Sequence, residues 1–341
     1  MIYRVFKSYH PSAILLILLL SVLMWFYRFN HPEALSYPFA VYEMPLFFLL
    51  EKALMQYPLV GVLVPFFLLL IMAFLINRMN QQFILLQDRS YLPALFFVLI
   101  TSAYLPLQRL TPQLLAVFFM ILGVTRVFRT YRNDSQWLRF FDGGLLISIG
   151  SLFDINMAYY LLVIWIAFFI LRPFRGKEWL VSILGFILPY FFVGGYFYVF
   201  EGNLSYKINS FITHLISPLP WPQLPVAYWL YAFILVILII VSSYHMIMVF
   251  QTRKVRVRKY FQIFFWLFFI SLLLFVFRRI SLAEFIMIGS VPVSYLFSNY
   301  FTSLRSRSLG EIFITLILLA IVIIQVLQLN LFPFLEEYSG L

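Results

Sequence analysis

Two carboxylates and four arginines stand out in a chain in which only 11% of the residues are charged. Glu33 follows the first apolar run, in FNHPEA, and Asp154 sits in a DIN turn between two apolar stretches. Arg28 closes that same first run, and Arg109, Arg278 and Arg279 fall at the ends of others. A guanidinium fork matches phosphate oxygens two at a time, so several at one depth suit a lipid-linked phosphate or pyrophosphate. A carboxylate beside that phosphate would act as general base toward an acceptor hydroxyl. On this chemistry Glu33 and Asp154 are the catalytic candidates, and Arg28, Arg109, Arg278 and Arg279 the phosphate-binding ones. His31, Lys207, His214 and Glu284 belong to the same side of the chain. A plainer reading stands beside this one. An arginine at a span end snorkels to headgroups, and an Asp in a tight turn caps the helix after it, which begins here near Asn156.

Other chemistry is excluded by what is missing. There is no GxGxxG, P-loop, HExxH or GxSxG arrangement, and with no cysteine there is neither a disulfide framework nor a thiolate nucleophile. The four histidines (His10, His31, His214, His245) are scattered, so no metal site and no cofactor is expected. The centres of the apolar runs carry no ionisable residue, which counts against an ion-coupled carrier.

The elements that must position these residues follow from composition. The chain is 64% hydrophobic, 21% aromatic and 11% charged, with 42 Phe and 22 Tyr and a mean hydropathy of +0.97. Soluble domains carry roughly 25% charged residues, so a water-soluble fold is excluded. Apolar runs near ~20 residues mark membrane-spanning helices, and the alternation of a β-barrel is absent. The expected fold is an all-α polytopic transmembrane bundle of about eleven spans. These lie near 12–28, 58–76, 91–106, 112–125, 140–153, 157–171, 179–199, 226–250, 261–277, 283–300 and 310–330. The fourth and fifth are short and call for shelter by neighbours.

With the N-terminus inside, only Arg28, Lys52, Arg109, Lys207, Arg278 and Arg279 face outward, leaving eighteen of the 24 Lys and Arg on the inner side. An odd number of spans puts the C-terminus outside. The whole of 1–341 is then one integral membrane domain, with outer-face interfacial segments at about 29–57 and 200–225. Met44–Gln56 reads as a helix lying in the interface, opened by Pro45. GGLLISIGS (143–151) reads as a small-residue face for close helix packing. The short basic linkers are accounted for by anionic headgroups, so the expected partner is the lipid bilayer and not nucleic acid.

One internal echo recurs: Arg172-x5-Glu178 and Arg278-x5-Glu284 each follow an apolar span and precede another with a proline in it. On the eleven-span topology the two loops face opposite sides, as in an inverted repeat.

The stretch SLFDINMAYYLLVIWIAFFILRPFRGKEWLVSILGFILPYFF, with the later RRISLAEFIMIGSVPVSYLFSNYF, resembles an uncharacterised family of bacterial multi-pass inner-membrane proteins. A looser resemblance is to polytopic glycosyltransferases of the GT-C type that use lipid-linked sugars. Those have an N-in first span and an outer first loop with an interfacial helix. That likeness implies Glu33 in the place of the loop carboxylate, and Arg109 or Arg278 on a polyprenyl phosphate. FNHPEA carries one carboxylate where such enzymes carry a pair. The expected setting is envelope biogenesis in a bacterial cytoplasmic membrane. The alternatives are a non-catalytic scaffold of an envelope complex, partnered by other membrane proteins, and a lipid transporter.

Overall fold

The computed structural model describes residues 5–6, 10–32, 44–54, 57–131, 138–172, 176–201, 209, 212–213, 215, 226–278, 280–304 and 307–328, and within them every regular element is helical. The helices are α1 (Pro11–Asn30), α2 (Pro45–Leu54), α3 (Pro58–Phe83), α4 (Leu92–Ser102), α5 (Pro112–Phe128) and α6 (Leu138–Ser151), followed by α7 (Leu161–Leu171), α8 (Gly176–Tyr196), α9 (Val226–Val249), α10 (Val255–Leu273), α11 (Leu282–Ser303) and α12 (Arg307–Gln328). Prolines open α1, α3 and α5 at their first turns, where the missing N–H costs nothing. A 3-10 turn, Ile155–Tyr160, leads into α7, and π turns close α8 and α10 at 197–201 and 274–278.

Six segments are long and apolar enough to cross a membrane: Pro11–Asn30, Pro58–Phe83, Gly176–Phe200, Tyr231–Thr252, Val255–Arg278 and Leu282–Ser303. The shorter apolar helices are Leu92–Ser102, Pro112–Phe128, Ile155–Leu171 and Gly310–Val326. A helix lies in each of the eleven intervals drawn from the sequence. Length and apolar character together qualify six of them.

The shortest helix explains how the others are arranged. The eleven residues of α4 reach about 16 Å, roughly half of a bilayer core. Every one of them is buried. Helices α1, α3 and α11 pack around α4, and α11 is itself mostly buried. The two are locked by Phe96 set edge-on against Phe297 and tilted against Phe301. The other extreme is α8 and α9, whose apolar sides are largely open, as helices bathed in lipid should be.

The small-residue face of 143–151 does pack a helix, and the partner is α8. A Cβ added to Gly144 would fall on the carbonyl of Ser182, and one added to Gly185 on the carbonyl of Phe141. The two backbones therefore touch, as small residues permit in a membrane. Ser151 Oγ and the Tyr190 hydroxyl pair at 2.7 Å further along the same seam.

The two ends of the bundle differ in charge. One end gathers Arg78, Arg126, Arg129, Arg139, Arg172, Arg253, Arg256, Arg258 and Lys259. Contacts tie it together: Tyr260 donates to Phe128 O at 3.0 Å, Lys259 to Leu171 O at 3.4 Å and Arg253 to Asn299 Oδ1 at 2.6 Å. At the opposite end α2 docks through Leu46 N on Leu152 O at 3.3 Å, with Phe47 and Leu110 packed beside Phe153. Phe6 meets Tyr91 at the basic end, whereas Gln325 in α12 reaches Met24 O and Ser102 O toward the other. The described N- and C-terminal segments thus lie toward opposite ends.

Candidate functional site

At the less basic end, three elements that are far apart in sequence meet on one amide. Asn156 lies in the 3-10 turn after α6, Arg278 ends the π turn after α10, and Glu284 is in the first turn of α11. Asn156 Nδ2 donates to Glu284 Oε2 at 3.2 Å, and Asn156 Oδ1 accepts from Arg278 Nη2 at 3.3 Å. The Arg278 guanidinium also stands over the Tyr159 ring, 5.8 Å from its centre. The Tyr159 hydroxyl in turn donates to Leu215 O, so part of the 200–225 segment touches the site.

Asp154 completes the group. Its Oδ1 accepts from Asn156 N at 3.1 Å, so it does cap the turn it precedes. Capping does not exhaust its role, because the side chain is buried and in electrostatic reach of Glu284. Burial pushes its carboxyl up to about 6, against the opposing hydrogen bond from Asn156 N and the amide of Gln113. Tyr160, fully buried, lies within reach of both carboxyls.

Glu284 is the unusual member. Ser281 caps α11 by accepting from Glu284 N at 3.1 Å, and Ser-Leu-Ala-Glu has the spacing of a capping box. In that motif the glutamate would turn back to the cap. Here it turns to Asn156 with one oxygen, and its other oxygen, Oε1, is buried with no hydrogen-bond partner. A buried acceptor left open costs about 1–3 kcal/mol, so such an atom asks for a donor.

The sequence-derived candidates separate cleanly. Asp154 and Arg278 come together through Asn156. Arg109 lies in the turn before α5, beside Tyr104 and four residues ahead of the Gln113 that faces Asp154. Arg28 is in the last turn of α1, next to the Gln108 bond to Met24 O at 3.1 Å. Glu33 and Arg279, with Lys207 and His214, fall outside the described residues. His31 stacks on Tyr27, with ring centres 4.5 Å apart. Asn156, Gln113 and Tyr160 are not among the sequence-derived candidates, and nothing in their local sequence singles them out. Glu284 is read from the sequence as an outer-side charge and as the partner of Arg278 in the internal echo, while its SLAE context fits a cap. Among the described residues no group of three or more His, Cys, Asp or Glu could hold a metal ion.

The arrangement offers a half-exposed guanidinium, two buried carboxyls and a fixed amide that orients them. It can hold an anion at its rim and take or hold a proton just below. No protein-family model, curated protein or solved structure matches this chain.

Proposed function

We propose that this chain is a multi-pass protein of a bacterial cytoplasmic membrane that works in envelope biogenesis. In this reading it crosses the bilayer eleven times, N-terminus inside and C-terminus outside, and handles a polyprenyl-phosphate-linked substrate at the outer end in the manner of a GT-C-type transferase. The observation that carries it is the single amide of Asn156, held by Arg278 on one side and Glu284 on the other. Arg278 takes a phosphate oxygen of the lipid-linked donor. The acceptor hydroxyl attacks the anomeric carbon, the bond from that carbon to the phosphate oxygen breaks, and the lipid phosphate leaves with the electron pair. The hydroxyl proton passes to a carboxylate, for which Glu284 Oε1 and Asp154 are the available oxygens.

The test is turnover of a radiolabelled polyprenyl-phosphate sugar by the purified full chain in liposomes. Arg278→Ala should weaken capture of the donor, and Glu284→Gln should stop transfer while the donor still binds. If both variants fold, insert and behave as the parent does, or if the parent turns nothing over, the reading falls. The chain is then a scaffold whose cluster is purely structural.

A further inference from the structure

The basic end holds a concentration of charge that the described residues do not neutralise, and this feature is independent of the proposed reaction. Arg129, the cap residue of α5, donates from Nη2 to Gln82 Oε1 at 3.2 Å, and Arg139 of α6 donates to the Arg129 carbonyl. The charges of Arg126, Arg78 and Arg139 all act on Arg129. Burial first, and then those three like charges, weaken its hold on its own proton. Its Nε is buried and meets no acceptor. Among the described residues the acid in this group is Asp142, whose Oδ2 lies 3.7 Å from Arg126 Nε. Four guanidinium groups face one carboxylate. Like charges crowded this way repel, and a counter-anion removes the penalty.

The helix faces below these arginines say what kind of anion fits. Arg78 ends a row of exposed apolar residues on α3, Phe67, Ile71 and Phe74, spaced to lie along one side of the helix. Arg126 ends a half-buried row on α5, Phe119 and Leu122. Helices α3 and α5 pack against each other, and each row ends in an arginine that acts on Arg129. A soluble anion has no use for such rows, and acyl chains do.

We propose that Arg78, Arg126, Arg129 and Arg139 form a binding site for a phospholipid headgroup carrying two phosphodiesters, its acyl chains lying along α3 and α5. The three positive charges left unmatched among the described residues exceed what one phosphodiester supplies, and guanidinium forks suit two of them.

The test uses the purified full chain in mild detergent, examined by native mass spectrometry and thermal unfolding. The probes are cardiolipin, phosphatidylglycerol and inorganic phosphate, each added alone. Cardiolipin should be retained at least about tenfold better than phosphatidylglycerol and should raise the unfolding temperature, with inorganic phosphate at millimolar concentration doing neither. The triple variant R78Q/R126Q/R129Q should lose the preference. Arg126→Gln, half-exposed and harmless to the fold, should lose several-fold of it, which keeps the test decisive if the triple variant misfolds. Arg258→Gln, over the Phe250 ring at the α9–α10 corner, should leave retention unchanged. Equal retention of cardiolipin and phosphatidylglycerol overturns the proposal, as does undiminished retention by Arg126→Gln. A thermal gain from inorganic phosphate alone would mark a site for a soluble anion and overturn it equally.

Discussion

The same two residues at the same spacing are used in opposite ways at the two ends of this molecule. At the basic end Arg172 Nη1 donates directly to Glu178 Oε1 at 3.1 Å, and both side chains are buried. The Arg172 guanidinium also covers the Phe140 ring, at 5.6 Å. At the other end Arg278 and Glu284 are parted by Asn156, and Glu284 keeps an oxygen without a donor. The first pair closes directly on itself. The second is held apart by a third residue, and a second carboxyl, Asp154, stands beside it. Spacing in sequence sets up both pairs; what intervenes in space separates a strut from a site.

The seam that supports both ends is the strongest place to break the comparison. Helix α8 carries Glu178 at its start, and α6 leads into Asp154. Gly144→Leu would drive a side chain into the Ser182 backbone and force the two helices apart. The expected loss exceeds about 3 kcal/mol, at the far end of the overpacking range. Detergent-extracted protein should then run as aggregate in size-exclusion chromatography. A monodisperse Gly144→Leu protein would mean that the α6–α8 contact is not close.

Removing the arginine from each pair sharpens the contrast. Arg172→Ala strands a buried carboxylate and should cost about 3–5 kcal/mol. Arg278→Ala takes one donor from Asn156 Oδ1 at a half-exposed position and should cost about 1 kcal/mol. Urea unfolding in detergent measures both, and equal losses would erase the distinction between strut and site.

Asp154 gives the contrast a pH signature. Its carboxyl is raised from the usual 3.8 to about 6, so the folded chain holds that proton more tightly than the unfolded chain does. The stability this contributes is complete below about pH 4 and is lost as pH rises through about 6. The change should amount to roughly 2–3 kcal/mol in the wild type. Asp154→Asn keeps a cap oxygen for Asn156 N and removes this titration, so its unfolding temperature should fall less across the same window than that of the wild type. A wild type that falls no further than the variant would remove Asp154 from the buried pair.

How much of this was legible in the sequence depends on which force positions each residue. Apolar periodicity is a local property, and it located the helices, including α2 and the α6 packing face. The number of crossings is harder to read, because α4 reaches only half a bilayer and is sheltered by α1, α3 and α11, which no window of sequence records. Asp154 and Arg278 were legible as charges that the bilayer makes costly. That they meet through Asn156 was not, since two of the three contacts join residues more than a hundred positions apart. Glu284 was legible as an outer-side charge six residues after Arg278, but not where its side chain turns, because the local capping-box spacing places only Ser281.

Glu284 supplies the finest discrimination between the two ends. Glu284→Gln replaces a carboxylate that has one satisfied oxygen and one open oxygen in a buried setting. The amide oxygen can still accept from Asn156 Nδ2, and no charge remains to be desolvated. The variant should therefore be more stable than the wild type, by about 1 kcal/mol. At Glu178 the same substitution removes the charge that answers Arg172, so it should destabilise alongside Arg172→Ala. A gain at one glutamate and a loss at the other, measured by urea unfolding under one condition, is the behaviour of a site that gives up stability to keep an oxygen available. Loss at both would make Glu284 a strut like Glu178, and the proton-accepting role would have no residue left to perform it but Asp154.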